Sequence, residues 1–373
     1  MKTHKNLYAQ ICSFENLLLA AKQAAAGKRF RPDVLEFFND LEGNTLQLLR
    51  ELRTQTYQPG SYESFYIYEP KKRMISKAPF RDRVVHHALI NVIGPLFERR
   101  FIFDSYANRL GKGTHAAIRR LQQFMRQALY VLKIDLRQYF PSIDLEILKQ
   151  LIRRVIADLE TLWLIDKIID SSNPQVETNW YFPGDDLFTP FERRRGLPIG
   201  NLTSQFFANV YLDPFDHFVK ETLRCRFYLR FVDDAAFLDD SSQRLEALVP
   251  PMQNFLDDFR LKLYLEKCQI RPVACGQRFL GQIVFPRHRL LVPENVRRFA
   301  RRMRQFQKRY ARQKISLPQI RQSLMSWLGH AGQANTWALR QTLLPGVARF
   351  SRNTYFFDMS SCKNLPPYWA RPS

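Results

Sequence analysis

The feature that most constrains this chain is a pair of adjacent carboxylates, Asp233 and Asp234, inside an apolar and aromatic run. The flanking stretches 227–230 and 235–238 have the aromatic and apolar content of two short strands. We therefore predict a β-hairpin that holds both carboxylates at its turn. Like charges held this close raise each other's pKa, and a bound divalent cation would relieve their repulsion. The pattern predicts a metal site.

A third acid, Asp135, lies at the end of the strand-like run 131–136. Two magnesium ions are the usual device for in-line phosphoryl transfer, and Mg²⁺ prefers a few carboxylates with phosphate oxygens over a cage made by protein alone. Asp135, Asp233 and Asp234 are therefore the candidate catalytic residues and the candidate ligands of two Mg²⁺ ions, for which Mn²⁺ could substitute. The alternative for Asp135 is that it caps a turn.

Three other Asp-Asp pairs, at 185–186, 239–240 and 257–258, lack this apolar setting. We interpret all three as solvated charges of loops or helix faces. The dipeptide alone therefore indicates nothing, and its context singles out Asp233-Asp234.

Three motifs in order resemble the palm of a reverse transcriptase: Asp135 to Phe140, the stretch 196–205, and the segment 231–234. The resemblance covers roughly residues 30–345. Ile199 stands where most members have Gln, with Ser204-Gln205 downstream. This pattern is similar to the reverse transcriptases of diversity-generating retroelements, which copy a template RNA with frequent errors at adenines. Group II intron and retron enzymes are their general relatives. One departure is Phe231, where the family usually has Tyr.

The resemblance implies an α+β right-hand polymerase fold, with fingers, a palm built on an antiparallel sheet, and a helical thumb. We expect an N-terminal helical segment at 1–60, fingers at 61–127, palm at 128–285, thumb at 286–345 and a C-terminal tail at 346–373. The palm should contain an inserted or mobile loop at 173–195, because that stretch contains three prolines and a glycine.

Composition indicates the kind of partner. The 57 Lys and Arg against 35 Asp and Glu give a formal net charge of +22, which indicates a polyanion. Nucleic acid is favoured over an anionic membrane. No run approaches the length of a membrane span and no signal-like core follows Met1, so we expect a cytoplasmic protein without a membrane partner. Five cysteines without a Cys-x-x-Cys pair fit a reducing compartment.

Basic residues in the expected fingers could hold the triphosphate of an incoming nucleotide, since arginine grips two oxygens at once. The resemblance places Lys72, Arg73 and Arg81 in this role, and the alternative is a solvated charge run. Phe140 lies where the family has an aromatic ring beside the sugar. We expect it to exclude a 2′-hydroxyl and favour deoxynucleotides, with a core aromatic as the alternative.

The stretch 196–205 holds further nucleotide-site candidates, Ile199, Gly200 and Gln205. Its glycines allow close approach of the backbone to a nucleotide or template base. Gln at position 199 could hydrogen-bond the substrate or template, whereas Ile cannot, so we expect Ile199 to lower fidelity. Lys267 matches a family lysine that assists the leaving pyrophosphate, with ordinary surface charge as the alternative.

Two segments are candidates for contact with the nucleic acid. Lys112 lies in a glycine turn that opens a helix, and the family has a similar stretch near the template. The segment 279–283 looks like the family's primer-gripping hairpin, in which Phe279 and Gly281 are the candidate residues.

The expected thumb contains an amphipathic stretch, 297–310, with apolar residues at the spacing of one helix face. Its other faces carry the candidate phosphate-binding residues Arg297, Arg298, Arg301, Arg302, Arg304, Lys308 and Arg309. An A-form duplex recognised by phosphate and shape would suit this helix. A calmodulin target or a membrane-surface helix has the same periodicity.

The expected function is that of an RNA-directed DNA polymerase, a nucleotidyltransferase that copies template RNA into cDNA from deoxynucleoside triphosphates. The resemblance implies errors at template adenines, mutagenic retrohoming, and two partners: a structured template RNA and an accessory variability determinant protein. The alternatives are a host-defence, retron or group II-type reverse transcriptase, a protein-primed polymerase, an RNA-binding maturase-like protein, and a magnesium-dependent nuclease.

Overall fold

A computed structural model describes residues 3–68, 72–172 and 179–347. The chain divides into two compact units. The first comprises Met1–Gly113, Leu132–Phe237 and Gln243–Gln269, and the second comprises Thr114–Val131, Leu238–Ser242 and Ile270–Ser373. Residues 173–178 of the expected loop and 348–373 of the expected tail lie outside the described residues. The division into fingers, palm and thumb stays a prediction.

The helices are α1 (Tyr8–Ile11), α2 (Phe14–Ala24), α3 (Pro32–Asn39), α4 (Leu41–Arg53), α5 (Phe80–Glu98), α6 (Thr114–Met125), α7 (Tyr139–Ser142), α8 (Leu145–Arg153), α9 (Leu159–Asp170), α10 (Thr189–Glu192), α11 (Leu202–His217), α12 (Ser242–Ala247), α13 (Val249–Asp258), α14 (Pro293–Ala311), α15 (Leu317–Ala331) and α16 (Trp337–Val347). The strands are β1 (Glu63–Ile67), β2 (Arg73–Lys77), β3 (Tyr130–Ile134), β4 (Phe227–Phe231), β5 (Asp234–Asp239), β6 (Gln269–Pro272), β7 (Gln277–Phe279), β8 (Gln282–Val284) and β9 (Arg289–Leu291). The α+β class is confirmed.

In the first unit, the central strands are ordered β4-β5-β3. Their inner residues are apolar and buried, as in Tyr228-Leu229 of β4 and Ala235–Leu238 of β5. Helix α11 is buried along most of its length, so it forms the core beside these strands. This packing holds the ends of β3 and β5, where the candidate acids lie, on a rigid support.

A separate antiparallel pair, β1 and β2, is matched from Glu63 opposite Lys77 to Ile67 opposite Arg73. The helices before it begin at polar caps: Ser13 accepts a hydrogen bond from Asn16 N at the start of α2, and Asp40 accepts one from Gly43 N in α4. Strand β2 leads directly into α5. The N-terminal region is therefore helical until this hairpin, as the sequence predicts.

The second unit contains an antiparallel sheet, β7-β8-β9, and the helices α6, α14, α15 and α16. The predicted amphipathic helix is confirmed as α14. Phe299 and Met303 are buried together with residues of α15 and α16, and the Phe299 ring stacks on Trp327 at 4.0 Å. Because this apolar face is packed inside the protein, the calmodulin-target and membrane-surface interpretations lose their main support. No helix within the described ranges combines the length and apolarity needed to cross a membrane.

One expectation about the other Asp-Asp pairs was wrong. The Asp185 side chain is only 1% exposed and is paired with both Arg193 and Arg260, so it is not a solvated loop charge. Asp186 remains exposed, and its Oδ1 accepts hydrogen bonds from Phe188 N and Thr189 N in the turn before the short helix α10. The described part of the predicted loop, 179–195, is therefore anchored to the first unit by a buried carboxylate.

Candidate active site

The predicted hairpin is present, with β4 and β5 joined by a turn of two residues, Val232 and Asp233. Val232 has φ of +57°, which is rare for a β-branched residue because its side chain crowds the backbone. Such conformations persist only where the surroundings enforce them. Asp233 therefore lies at the tip of a strained turn, and Asp234 is the first residue of β5.

The side chain of Arg230 holds this turn in place. Its side chain is 1% exposed, and it forms a two-pronged ion pair with the fully buried Asp216 of α11, through Nε at 2.8 Å and Nη2 at 2.6 Å. Its remaining nitrogen, Nη1, donates to the Val232 carbonyl at 2.9 Å and to Asn209 Oδ1 at 3.2 Å. The guanidinium therefore ties the turn to α11.

The remaining atoms of this buried network are also satisfied. Tyr228 donates its hydroxyl to Asp216 Oδ1 at 2.6 Å, and Arg230 N donates to Asp104 O at 2.9 Å. The Asp216 carboxylate raises the pKa of Arg230 despite burial. A buried ion pair is tolerated only when its hydrogen bonds are complete in this way. The network is thus a rigid base for the hairpin.

Asp135 reaches the same place through β3. The stretch after β3 pairs with residues 262–264: Tyr264 N donates to Asp135 O, and Arg137 N donates to Lys262 O, both at 2.8 Å. This pairing brings Lys267 to the Asp135 carboxylate, with Nζ to Oδ2 at 2.8 Å. The structure thus places Lys267 beside a candidate acid, which sequence reasoning did not anticipate. Its expected role towards pyrophosphate stays a prediction.

Two of the three candidate acids have a lysine partner. Lys267 pairs with Asp135, and Lys133 Nζ lies 2.9 Å from Asp234 Oδ1. Within the described residues, Asp233 has no such partner. Burial, and then the charges of Asp234 and Asp135, raise the pKa of Asp233 to about 6. Negative charge is thus concentrated and under-compensated at the hairpin tip.

This donor set fits a divalent cation that substrate helps to hold. No three Asp, Glu, His or Cys side chains in the described part of the chain are grouped to hold a metal by themselves. Mg²⁺ does not need such a cage, because phosphate oxygens and water complete its shell. The raised pKa of Asp233 is the observation that favours a cation here, since a positive charge would remove the repulsion that causes it.

The stretch 196–201 connects Phe140 to β2. Leu197 N donates to Phe140 O at 3.0 Å, and Ser76 N of β2 donates to Ile199 O at 2.9 Å. Asn201, which sequence reasoning did not single out, bridges the same strand by donating to Ser76 O and accepting from Ala78 N. The candidates on this stretch and on β2 are therefore held together.

Gly200 is required at this crossing. Its φ is +123°, and a Cβ there would lie 3.0 Å from Ile75 Cγ2. A Cβ would crowd the Ile75 side chain, and the positive φ would strain the backbone of any other residue. The glycine therefore allows β2 and the stretch 196–201 to meet; its predicted contact with a nucleotide stays a prediction. Ile199, Phe140 and Gln205 are all partly exposed and remain available for such contact.

The three basic residues predicted to hold a triphosphate are placed differently. Arg73 begins β2 and lies close enough to Asp233 to lower its pKa, although burial outweighs this effect. Lys72 is exposed, with Nζ 4.6 Å above the Tyr66 ring. Arg81 is paired with Glu51 and lines a cavity of about 450 Å³ beside α3 and α4. Of the three, the structure brings Arg73 to the acids.

The candidate residues for contact with nucleic acid lie in different environments. Lys112 donates to Phe103 O at 2.8 Å and lies over the Phe103 ring. Phe279 is 1% exposed, so its ring supports β7 from inside. A Cβ on Gly281 would face Asn295 and His330 at 3.3 and 3.6 Å. For these residues contact with nucleic acid stays a prediction.

The basic residues of α14 are mostly on its solvent side. Arg297, Arg301, Arg302, Arg304, Lys308 and Arg309 are exposed, and Arg298 is partly exposed. A helix that buries its apolar face and exposes arginines has the form expected of a phosphate-binding surface. Its role stays a prediction.

Sequence reasoning missed Arg230, Asp216 and Lys133. A signal existed for each. Arg230 is the one charge within the apolar strand β4, and Asp216 lies in the largely apolar helix α11. Lys133 is two residues before Asp135 and therefore points to the same side of the chain. Nothing in the sequence shows that Arg230 and Asp216 meet.

The sequence of this chain matches the model of a known protein family over more than half of its length. The model of the family described as reverse transcriptase (RNA-dependent DNA polymerase) matches residues 68–284. This range contains all three candidate acids and the stretch 196–205.

Individual relatives cover less of the chain. Protein YkfC of Escherichia coli (strain K12) is 29% identical over 184 residues, which is 47% of this chain and 45% of that protein. The group II intron-encoded protein LtrA of Lactococcus lactis subsp. cremoris is 24% identical over 210 residues, 56% of this chain and 33% of LtrA. The chain thus spans less than half the length of these relatives. The RNA-dependent RNA polymerase 3Dpol of Sicinivirus shares 12% identity over 68% of this chain and 58% of its own, with a TM-score of 0.44.

The Arg230 clamp predicts two separable effects. Arg230→Lys keeps a positive charge but cannot reach Asp216 and Val232 together, so we expect about 3 kcal/mol lower stability towards urea and a relaxed hairpin tip. Relaxation should weaken Mg²⁺ binding, measured as the increase in Tm that Mg²⁺ produces. Tyr228→Phe is the matched control, because it removes a hydrogen bond to Asp216 without touching Val232. It should cost about 2 kcal/mol and leave the Mg²⁺ response intact. An unchanged Mg²⁺ response in Arg230→Lys would contradict the clamp.

The raised pKa of Asp233 predicts how stability varies with pH without metal. Between pH 4 and 6 the folded state holds a proton that the unfolded state has lost, so ionisation on raising the pH destabilises the fold. In EDTA, Asp233→Asn should be more stable than the unsubstituted protein by about 2 kcal/mol at pH 8, and the difference should vanish below pH 4. Asp240→Asn, at an exposed acid, is the control. A difference that is independent of pH would show that repulsion is not its cause.

Proposed function

Since the chain belongs to the reverse transcriptase family, whose model matches more than half of its length, we propose that it is an RNA-directed DNA polymerase. The observation that carries the proposal is the convergence of Asp135, Asp233 and Asp234 at a strained hairpin tip, with Asp233 under-compensated. A site with this charge is suited to cation-assisted transfer of a phosphoryl group. Its substrates would be a primer on template RNA and deoxynucleoside triphosphates.

In the proposed reaction, the primer 3′-oxygen attacks the α-phosphorus of the incoming nucleotide and pyrophosphate leaves. Bound at the three acids, two Mg²⁺ ions, or Mn²⁺ in their place, would supply an activated hydroxyl and charge neutralisation at the leaving group. Arg73, on the strand tied to Ile199, would hold the triphosphate. Lys267, 2.8 Å from Asp135, would neutralise the pyrophosphate as it forms.

We further propose that Phe140 excludes a 2′-hydroxyl. The main chain of Phe140 is fixed by the bond from Leu197 N, and its neighbour Tyr139 is buried and bonded to Ala208 O. The ring is thus held five residues after Asp135 and is partly exposed. A ring held beside the sugar of the nucleotide would leave no room for the 2′-oxygen of a ribonucleotide.

The finer proposal is a polymerase of the diversity-generating retroelement type, prone to errors at template adenines and assisted by an accessory variability determinant protein. It is supported by Ile199, whose carbonyl is fixed to β2 while its side chain is partly exposed. An apolar side chain there offers no hydrogen bond to check a base pair. We place the protein in the cytoplasm, where template RNA and nucleotides are available.

A second candidate function is RNA binding without polymerisation. It is favoured by the names of relatives, which include LtrA and nuclear intron maturase 1, mitochondrial, of Arabidopsis thaliana, 30% identical over 97 residues, 26% of this chain and 14% of that protein. In this case the basic surface of α14 would act alone. The acids would then be dispensable.

Primer extension separates these candidates. With a primer annealed to a defined RNA template, Mg²⁺ and four deoxynucleotides, Asp135→Ala and Asp233→Ala should each lower the rate by about a thousandfold or more. Asp240→Ala, at an exposed acid, should extend normally. RNA binding measured in parallel should survive all three substitutions. Binding without extension by the unsubstituted protein would favour the second candidate function, and normal extension by Asp233→Ala would refute the assigned site.

Sequencing the products tests the finer proposal. Errors opposite template adenines should exceed those at other bases, and Ile199→Gln should lower the adenine errors several-fold because it restores a hydrogen-bonding group. Leu110→Gln makes the same chemical change at a side chain that is 98% exposed, and it should leave the error spectrum unchanged. Accurate products from the unsubstituted protein would leave the polymerase and eliminate the diversity-generating assignment.

A further inference from the structure

The second unit contains a cluster of cationic and imidazole side chains that the proposed reaction does not use. His115 and Arg119 lie on α6, Arg289 begins β9 and His330 lies near the end of α15. His115 is close enough to the other three for burial and then His330, Arg119 and Arg289 to lower its pKa. Every charged neighbour that shifts it is therefore a cation or an imidazole.

Arg289 has the same surroundings. Half-burial, and then Arg119 and Arg126, lower its pKa, and no carboxylate acts against them. Elsewhere in this protein a buried arginine is matched by an acid, as Arg230 is by Asp216. An arginine that gives up water without gaining an anion is unfavourable by itself. The arrangement therefore lacks a negative group.

Two side-chain nitrogens in this cluster are buried and have no partner in the described part of the protein. Arg289 Nη1 and His115 Nδ1 each lack a hydrogen bond within the described residues. Buried polar atoms of this kind are uncommon, because each loses its water without replacement. An anion with several oxygens would accept a hydrogen bond from Arg289 Nη1 and, in the tautomer with the proton on Nδ1, from His115. It would also offset the excess positive charge.

The cluster is held in place on every side, so it is preorganised. On α6, His115, Arg119 and Gln122 follow the spacing of one helix face, and Arg126 comes directly after the end of the helix. The last two anchor the β8–β9 turn: Gln122 Nε2 donates to Phe285 O at 2.9 Å, and Arg126 Nε donates to Pro286 O at 2.8 Å. The other two therefore extend the same face beyond the anchored turn.

The backbone of Arg289 is fixed from the opposite side. Its N donates to Asn335 Oδ1 at 2.9 Å, and Asn335 N donates to its carbonyl at 2.8 Å. His330 is fixed by packing, since it fills the space where a side chain on Gly281 would project. These contacts hold the side chains of the cluster near fixed positions, so less conformational entropy is lost when a ligand binds.

From these contacts we propose that His115, Arg119, Arg289 and His330 form a binding site for a phosphate group. The source could be a phosphodiester of bound nucleic acid, which would rest on the proposed function, or free phosphate. Tetrahedral phosphate presents several acceptor oxygens to an arginine and an imidazole at once. Helix α6 begins at Thr114, so its N-terminal amides add positive potential beside His115.

The first test uses free phosphate. Thermal unfolding is compared in sodium phosphate and in sodium chloride at equal ionic strength and pH 7. Phosphate should raise the Tm of the unsubstituted protein by about 2–4 °C. Arg289→Gln should lose this increase, while in chloride it should be as stable or more stable because repulsion is relieved. Arg287→Gln removes the same charge from an exposed neighbour on the same turn, and it should keep the increase.

The second test uses a primer–template duplex labelled with a fluorophore, in EDTA and without nucleotides. Affinity is measured by anisotropy over a series of salt concentrations. Arg289→Gln and the exposed substitution Arg119→Gln should each lower the salt slope by about 1, whereas Arg287→Gln should not. Because neither metal nor nucleotide is present, failure of polymerisation cannot affect this result.

The outcomes assign the source. A salt slope for duplex binding that is lowered by about 1, with or without loss of the phosphate-induced increase in Tm, supports a phosphodiester site. Loss of the phosphate response alone supports a free-phosphate site. If Arg289→Gln matches Arg287→Gln in both tests, and Arg119→Gln matches it in the duplex test, the cluster does not bind phosphate and the proposal is overturned.

Discussion

The ion pair between Arg230 and Asp216 is the interaction on which the candidate active site depends. It joins β4 to α11 inside the core, and the same guanidinium holds the carbonyl of Val232, whose backbone would otherwise relax. An uncharged hydrogen-bond donor could hold that carbonyl, but it could not also be fixed in direction by a two-pronged contact. Burial of the Arg230 charge in the core is thus explained by its effect on the turn, because the guanidinium fixes the position of Asp233. Tyr228 and Asn209 complete the pair, so the hairpin inherits the rigidity of α11.

The acids at the hairpin tip show how a fold can carry a charge cluster that works against its own stability. Lys267 and Lys133 offset two of the three carboxylates, whereas no lysine among the described residues offsets the charge of Asp233, and its pKa is raised by burial and by the neighbouring acids. Full compensation of Asp233 by another lysine would stabilise the fold and leave less attraction for a cation. Active sites commonly keep such a deficit, because groups arranged for chemistry are not arranged for stability. Lys267 is 43% exposed, so its ammonium group can leave Asp135 and contact a substrate.

The sequence allowed prediction of local features and of the fold class. The hairpin and the amphipathic helix α14 followed from short patterns, and the right-hand polymerase class followed from the resemblance of three motifs in order; family membership confirms that class. Contacts between distant residues could not be predicted. Asp185 looked like a solvated charge, because Arg193 and Arg260 meet it only after folding. Likewise Arg81 looked equivalent to Arg73 in sequence, yet one pairs with Glu51 and the other lies near Asp233. Charge patterns identify residue types, whereas partners are decided by tertiary structure.

The two units carry opposite deficits of charge. At the hairpin tip, carboxylates outnumber the cations that face them, and the missing group is a cation. Around Arg289 and His115, cations lie near one another and the buried donor Arg289 Nη1 has no acceptor among the described residues, so the missing group is an anion. A chain of net charge +22 must bring many cations near one another by chance, but chance does not account for burying their donors, because exposed arginines avoid that penalty at no loss. Divalent cations and phosphate groups are together the ligands of a nucleic acid polymerase. Each deficit is therefore of the kind that a ligand of the opposite charge would fill.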